Sequence, residues 1–337
     1  MGFIIGALAQ GLLWSIMAIG VYVTYKVLDI ADLTAEGCFS LGTTVVAHLV
    51  TRQFAAGSPF SILGDPLVAT IVAIFAGILA GVVTGFLHTK FKIPALISGI
   101  LTMTGLYSVN LRILGRSNQA MVKKGELEAI SIINNLQQHL NLDKQPTSCI
   151  IGLIVVFIVI FCLWLFFNTE IGYALRATGN NKKMIRALGV DTDSMVILGL
   201  VIGNGIIALG SALVGQYDGY GDVTFGVGTI VIGLSSVIIG EVLFCFIFEL
   251  IFKKRSILLS LISVVCGSIL YRMIIAFILQ EGFPTSDLRL MSSVLLAVVL
   301  AVPVIQKLLL RYLRRFIAFQ KITLFFHKFV YKNGGAQ

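Results

Sequence analysis

The stretch Cys149–Phe167, CIIGLIVVFIVIFCLWLFF, runs for nineteen residues without one charged side chain. Wound as an α-helix it rises about 28 Å, close to the hydrocarbon thickness of a bilayer. Comparable apolar stretches fall near Phe3–Tyr25, Gly37–Val50, Leu67–Leu87, Pro94–Leu114, Met195–Val214, Thr224–Phe252, Ile257–Leu279 and Met291–Leu310. Lipid offers the backbone no hydrogen-bond partner, so such segments must be helices that satisfy themselves. The expected fold is therefore an all-α polytopic membrane protein of about nine transmembrane helices, with eight to ten as the range. The second stretch is short for a span and the seventh is long. Both are interrupted by glycine, which points to discontinuous helices near a protein-lined core.

Composition agrees. Of 337 residues, 57% are hydrophobic and 12% charged, about half the roughly 25% of charged residues in soluble domains. Mean hydropathy is +0.97. The 34 glycines fit close helix contacts in lipid. A net charge of +9 raises the question of nucleic acid, but the basic residues flank apolar runs, as positive-inside loops do. No nucleic-acid role is expected. The five cysteines (Cys38, Cys149, Cys162, Cys245, Cys266) and four histidines are scattered without ligand spacing, so no metal is expected. There is no nucleophile elbow and no phosphate-binding Gly-x-x-x-x-Gly-Lys-Ser/Thr loop. This chain is thus expected to be no enzyme, to bind no cofactor and to hydrolyse no ATP itself.

The basic residues also orient the chain. Lys26, Lys90 with Lys92, Lys182 with Lys183 and Arg186, Lys253 with Lys254 and Arg255, and the tail from Lys307 to Lys332 all fall on one side, read as cytoplasmic. The N-terminus and the Gly115–Ser148 loop then lie outside. Residues 1–310 read as one transmembrane domain and residues 311–337 as a basic amphipathic cytoplasmic tail that lies on anionic lipid. A short echo relates Asp29–Thr34, ahead of the second stretch, to Asp218–Thr224, ahead of the seventh. The two begin on opposite sides, as an inverted repeat would.

Between two spans lies the cytoplasmic loop 168–192, NTEIGYALRATGNNKKMIRALGVDT. Thr169 or Glu170 can open a short helix, and the small residues over Gly172–Ala177 would let a partner pack closely. Arg176 and Arg186 would be presented for ionic contacts. A solvated connector fits the same residue types equally well.

The loop's Gly172-Tyr-Ala174-Leu-Arg176-Ala177-Thr-Gly179 run, followed by Ala187-Leu188-Gly189-Val190, resembles the coupling loop of ABC-importer permeases of the branched-chain amino acid, ribose and nucleoside family. The small-residue span from Leu198 to Gln216 and the openings Gly11–Tyr22 and Asp32–Gly42 resemble the same family, so the likeness covers roughly Gly6 to Pro303. It leans toward permeases that accompany tryptophan- or tyrosine-type binding proteins. The resemblance implies a cytoplasmic coupling helix in which Glu170, Gly172, Ala174, Arg176, Ala177, Gly179, Asn181, Ile185, Leu188 and Gly189 are gripped by a separate nucleotide-binding ATPase subunit. ATP and Mg would sit on that subunit. The resemblance further implies an extracytoplasmic solute-binding protein, a second permease copy as a homodimer, and a place in the bacterial cytoplasmic membrane. The solute would be an amino acid, aromatic or branched-chain, moved inward by alternating access.

Polar residues in apolar surroundings are the candidates for the substrate pathway. Asp32, Thr34 and Glu36 open the second stretch; Asp32 either caps that helix or lines the pathway. Asn110 and Asn204 sit inside spans, where amides bond between helices or meet substrate. Tyr217, Asp218 and Asp222 form either an outer mouth or a polar turn. Glu241 is either a paired acid or a gating one. Asp32 and Glu241 would also be the acids of an ion-coupled secondary transporter, the alternative to an ATP-driven importer.

Overall fold

Several long apolar segments of this chain begin or end on a residue that suits the end of a helix. A computed structural model describes residues 2–52, 59–122, 129–140, 142–245, 256–284, 287–288 and 290–301. Glu249, the cluster Lys253, Lys254 and Arg255, and the basic tail from Lys307 to Lys332 lie outside the described residues. Helix α1, Gly2–Tyr22, continues into a π-helical turn, Val23–Val27. The chain then breaks at Asp29, whose φ of 56° is a left-handed conformation that aspartate tolerates. Helix α2 is Thr34–Thr51 and α3 is Pro66–Thr89. Asp65 caps α3 by accepting the Leu67 N–H at 2.8 Å, and Pro66 fills the first helical position, where no donor is needed. Helix α4, Ala95–Leu114, stops on Gly115 at φ 71°.

Helix α5 is Ile132–Leu140, and α6, Lys144–Phe167, contains the stretch quoted above. Two short helices follow, α7 (Glu170–Asn180) and α8 (Lys182–Ala187). Helix α9, Thr192–Asp218, starts on an Asp191 cap and ends on Gly219 at φ 81°. The exposed Asp191 carboxyl sits below its usual range because Ser194 and the Asp193 N–H donate to it. Helix α10, Thr229–Ile239, runs into a second π-helical turn, Gly240–Cys245, and α11 is Ile257–Gln280. The chain divides at residue 292 into two units, Met1–Ser292 and Ser293–Gln337. The first holds all the labelled helices; the second is helical through its described residues.

Among the described residues, six helices are long and apolar enough to cross a membrane: Phe3–Val27, α3, α4, α6, α9 and α11. The remaining three of the nine expected stretches are not counted among these six. Helix α2 has 18 residues and carries Thr34, Glu36, Ser40, Thr43 and Thr44. The apolar helices Thr229–Phe244 and Leu290–Ala301 are shorter over their described residues, and the stretches to which they belong continue beyond those residues. In the second stretch the break lies elsewhere than expected. Gly37 and Gly42 do not interrupt α2; the discontinuity precedes it, between Val27 and Thr34.

Helices α1 and α9 form the centre, each 67% buried over its most apolar window, against 28% for α4 and 33% for α6. Helix α3 lies almost backbone to backbone on α9. A Cβ on Gly77 or Gly81 would come within 2.6 Å of the Asn204 or Leu200 carbonyl oxygen. On the outside, Phe75, Leu79, Leu153, Phe157 and Ile158 are exposed, as a lipid-facing rim requires.

One feature lies beyond an all-α expectation. Strand β1, Asn118–Ala120, pairs antiparallel with β2, Tyr220–Asp222, setting Asn118 opposite Asp222 and Ala120 opposite Tyr220. This two-stranded ribbon ties the segment after α4 to the turn after α9.

Candidate translocation and coupling site

The polar candidates at the start of α2 form a connected chain through the helix core. Asp32 is buried. Its Oδ1 accepts the Thr34 N–H at 2.9 Å, and its Oδ2 accepts from Asn204 Nδ2 at 2.7 Å. The first bond caps α2 and the second ties it to α9, so capping and interhelical bonding are served by one carboxylate. Thr34 Oγ1 lies 2.7 Å from Thr84 Oγ1, which donates to Thr102 Oγ1 at 2.9 Å, extending the line to α3 and α4. Asn204 also donates to the Leu200 carbonyl oxygen, while its buried Oδ1 has no donor. Asn110 on α4 donates to the Gly37 carbonyl oxygen at 3.4 Å and accepts from Thr44 Oγ1 at 3.3 Å. Both asparagines thus bond between helices.

Glu36, half-buried, accepts the Gly228 N–H at 3.0 Å, and Ser40 Oγ accepts the Gly226 N–H at 2.8 Å. These bonds lay the turn ahead of α10 along the first turns of α2. Beside them opens a cleft of about 270 Å³, lined by Glu36, Ser40, Tyr107 and Asn110. The two halves of the sequence echo share a local geometry. Asp222 Oδ1 accepts from the Thr224 N–H at 2.6 Å, as Asp32 does from Thr34.

Tyr217, Asp218 and Asp222 gather at the C-terminal end of α9. Asp218 is exposed and Tyr217 half-buried, with Lys144 Nζ 5.1 Å above the Tyr217 ring. Sequence reasoning passed over a basic residue in the helix core. Arg272, the one charged residue of α11, places its guanidinium 3.9 Å from the Trp14 ring centroid. A lone arginine in a 24-residue apolar helix is a signal that the sequence carried in plain view.

Glu241 lies away from both groups. It pairs with Lys26 at 2.7 Å, joining the two π-helical turns.

The loop between α6 and α9 folds as the helix start anticipated. Thr169 Oγ1 accepts the Gly172 N–H at 3.2 Å to open α7, and Asn181 Oδ1 accepts the Met184 N–H at 3.1 Å to open α8. Gly189, at φ 85°, follows α8. Three expectations for this loop need correcting. Gly172 and Gly179 are small because the chain's own backbone lies against them. A Cβ on Gly172 would collide with the Phe166 carbonyl, and one on Gly179 with that of Val27. Ile185 is buried at 5% exposure, so it packs inward rather than facing a partner. Arg176 donates from Nη2 to the Phe167 carbonyl at 3.1 Å and lies over the Tyr173 ring, serving the C-terminus of α6. The outward face instead carries Glu170, Asn181 and exposed apolar side chains: Ile171, Tyr173, Met184 and Leu188, the last 71% exposed. Ala174 and Ala177 are half-buried. Arg186 is exposed but bonds to Thr192 and Asp193.

Residues 3–303 match the family described as "Branched-chain amino acid transport system / permease component". The chain belongs to that permease family. Among its relatives, a "Tyrosine transport system permease protein" of Clostridioides difficile (strain R20291) is 39% identical over 301 residues, which is 89% of this chain and 91% of that protein. An uncharacterized protein of Rickettsia prowazekii (strain Madrid E) is 34% identical over 72% of this chain and 79% of its own length. An "Autoinducer 2 import system permease protein LsrC" of Yersinia pseudotuberculosis serotype O:3 (strain YPIII) is 28% identical, covering 52% of this chain and 46% of that one. No solved structure matches this permease.

Proposed function

We propose that this chain is the membrane-spanning subunit of a binding-protein-dependent ABC importer that carries an amino acid inward, with an aromatic amino acid as the favoured solute. Membership of a transport-permease family and the name of its tyrosine-transport relative support this reading. The structural observation that carries it is the α7–α8 pair. It is a pair of short helices between two apolar ones, with Ile171, Tyr173, Met184 and Leu188 exposed and Gly179 seated on the Val27 backbone. Exposed apolar side chains on a capped helix suit a protein partner, and the inward seat would carry that partner's movement into α1.

In this reading a nucleotide-binding subunit, holding ATP and Mg, docks on α7–α8. An extracytoplasmic binding protein delivers solute at the Tyr217–Asp222 end of α9. A second copy of the chain completes a homodimer in the cytoplasmic membrane of a bacterium, with the C-terminus cytoplasmic. The short helices α2, Thr229–Phe244 and Leu290–Ala301 would complete nine membrane segments. Closure of the ATPase pair would switch the helix packing between two arrangements.

The test is uptake by proteoliposomes holding the permease with its ATPase subunit and binding protein. Uptake should require ATP inside and stop with a hydrolysis-dead ATPase subunit. Uptake that persists with that subunit would remove the importer reading.

A further inference from the structure

The turn between α3 and α4, helix α8 and the first turn of α9 enclose a cleft of about 270 Å³ lined by Lys92, Lys182, Lys183, Arg186, Thr192 and Asp193. Four cations thus meet one carboxylate. That carboxylate is already shared. Lys92 Nζ lies 3.0 Å from Asp193 Oδ2, and Arg186 Nη2 donates to Asp193 Oδ1 at 3.0 Å and to Thr192 Oγ1 at 2.9 Å. Asp191, the next acid along the chain, accepts the Asp193 N–H and the Ser194 hydroxyl in the α9 cap. Lys182 and Lys183 are exposed, and among the described residues neither is paired with a carboxylate. Lys92 is carried into the cleft by a left-handed backbone, φ 58°, an uncommon conformation for a residue other than glycine. A positive-inside loop needs basic residues but gives no reason to gather them, from segments far apart in sequence, around one hollow. Their mutual repulsion there is offset by an anion from outside the chain.

The position of the cleft decides which anion. Helix α3 has 24 residues and rises about 36 Å, more than the roughly 30 Å of hydrocarbon, so the end it shares with the starts of α4 and α9 reaches the headgroup layer. Phe86 and Phe91 pack edge to face at 5.6 Å yet stay 48% and 64% exposed, and Leu96 in the first turn of α4 is 49% exposed. Exposed rings at the end of a span suit the lipid interface. A basic cleft beside an apolar shelf matches a molecule that carries both a phosphate and acyl chains. We propose that this cleft binds the headgroup phosphate of an anionic phospholipid, with Lys182 and Lys183 as its free cations and the acyl chains along Phe86 and Phe91. On α8, at 100° per residue, the exposed Met184 and Leu188 lie across the helix from Lys182 and Arg186. The lipid therefore leaves the face proposed for the ATPase subunit open. This inference does not depend on which solute the permease carries.

The experiment titrates the full-length permease in detergent micelles with phosphatidylglycerol or with phosphatidylcholine, and reads the first bound lipid by native mass spectrometry. Wild type should bind phosphatidylglycerol about tenfold or more tightly than phosphatidylcholine. Lys182→Gln with Lys183→Gln should weaken phosphatidylglycerol binding about tenfold and leave phosphatidylcholine binding unchanged, while Lys182→Arg with Lys183→Arg, which keeps both charges, should bind as wild type does. Both lysines are exposed, so the thermal inactivation midpoint in phosphatidylcholine should be the same for all three proteins. Equal phosphatidylglycerol affinity in wild type and the double glutamine variant overturns the inference. Glycerol phosphate that binds as tightly as phosphatidylglycerol assigns the cleft to a soluble phosphate and overturns it as well. So does a double glutamine variant that keeps its phosphatidylglycerol affinity but no longer captures the ATPase subunit in phosphatidylcholine nanodiscs, because the cleft then receives an acidic face of that subunit.

Discussion

Lys26 Nζ lies 2.7 Å from Glu241 Oε1, so the π-helical turn that ends α1 is tied to the π-helical turn that follows α10. Beside the pair opens a cleft of about 270 Å³ lined by Tyr22, Ser256 and Ser260. π-Helical turns often mark functional sites, and here two of them meet through one ion pair. The side chains are partly exposed, so the bridge itself contributes only about 0–1 kcal/mol. Its consequence is positional, because Val27, the next residue, carries Gly179 of α7. Lys26→Glu and Glu241→Lys should each raise the ATP consumed per solute transported. The double variant, which restores opposite charges, should return the ratio toward wild type. Two independent single effects without rescue would count against a coupling role.

The inward and outward faces of α7–α8 should separate in two assays. Gly179→Ala forces a Cβ into the Val27 carbonyl and should destabilise the protein by about 1–3 kcal/mol, read as a lower midpoint of thermal inactivation. Leu188→Ser, at an exposed position, should change stability by less than about 0.5 kcal/mol yet weaken capture of the ATPase subunit. Equal ATPase-subunit binding by wild type and Leu188→Ser would remove Leu188 from the docking face.

Asp32 offers a discriminating pair. Asp32→Ala removes the cap of α2 and the partner of Asn204 together, leaving buried donors unpaired at a cost of about 1–3 kcal/mol. Asp32→Asn keeps an oxygen for the Thr34 N–H and brings an amide that can donate to the orphaned Asn204 Oδ1. It should fold and transport close to wild type if Asp32 is structural. Loss of uptake in a well-folded Asp32→Asn variant would instead fit an ionisable acid that carries a coupling ion.

Arg176→Glu should act first on the chain's own packing. It replaces a donor to the Phe167 carbonyl with a negative charge at the C-terminus of α6, costing about 1–2 kcal/mol. Arg176→Gln, which keeps a donor, should recover most of that loss in a thermal inactivation series. A variant that is fully stable yet uncoupled would place Arg176 on the partner's surface.

Much of this architecture was legible because it depends on residues close in sequence. The apolar runs set the long helices, and Thr169 sets the start of α7 through a bond to the third residue on. Asp32 was legible as a cap for the same reason. Its tie to Asn204, 172 residues away, was not, because no local signal pairs two polar side chains in different spans. Sequence distance also hid the contact of Gly179 with Val27, while Gly172, set against the nearby Phe166 carbonyl, and the buried Ile185 read as a docking surface until their packing was known. Arg272 was missed for another reason: attention to acids and amides in the apolar helices overlooked a basic residue.

Sequence alone determined that this chain is a helical membrane protein with a capped helical loop between two apolar helices, because hydropathy and capping act over one helix or one turn. The tertiary structure decided what the charged residues do. It paired Lys26 with Glu241, locked Asp32 onto Asn204 and set Arg272 on the Trp14 ring. Each of these groups depends on a partner that the packing brings near from another helix, where no local signal could mark it.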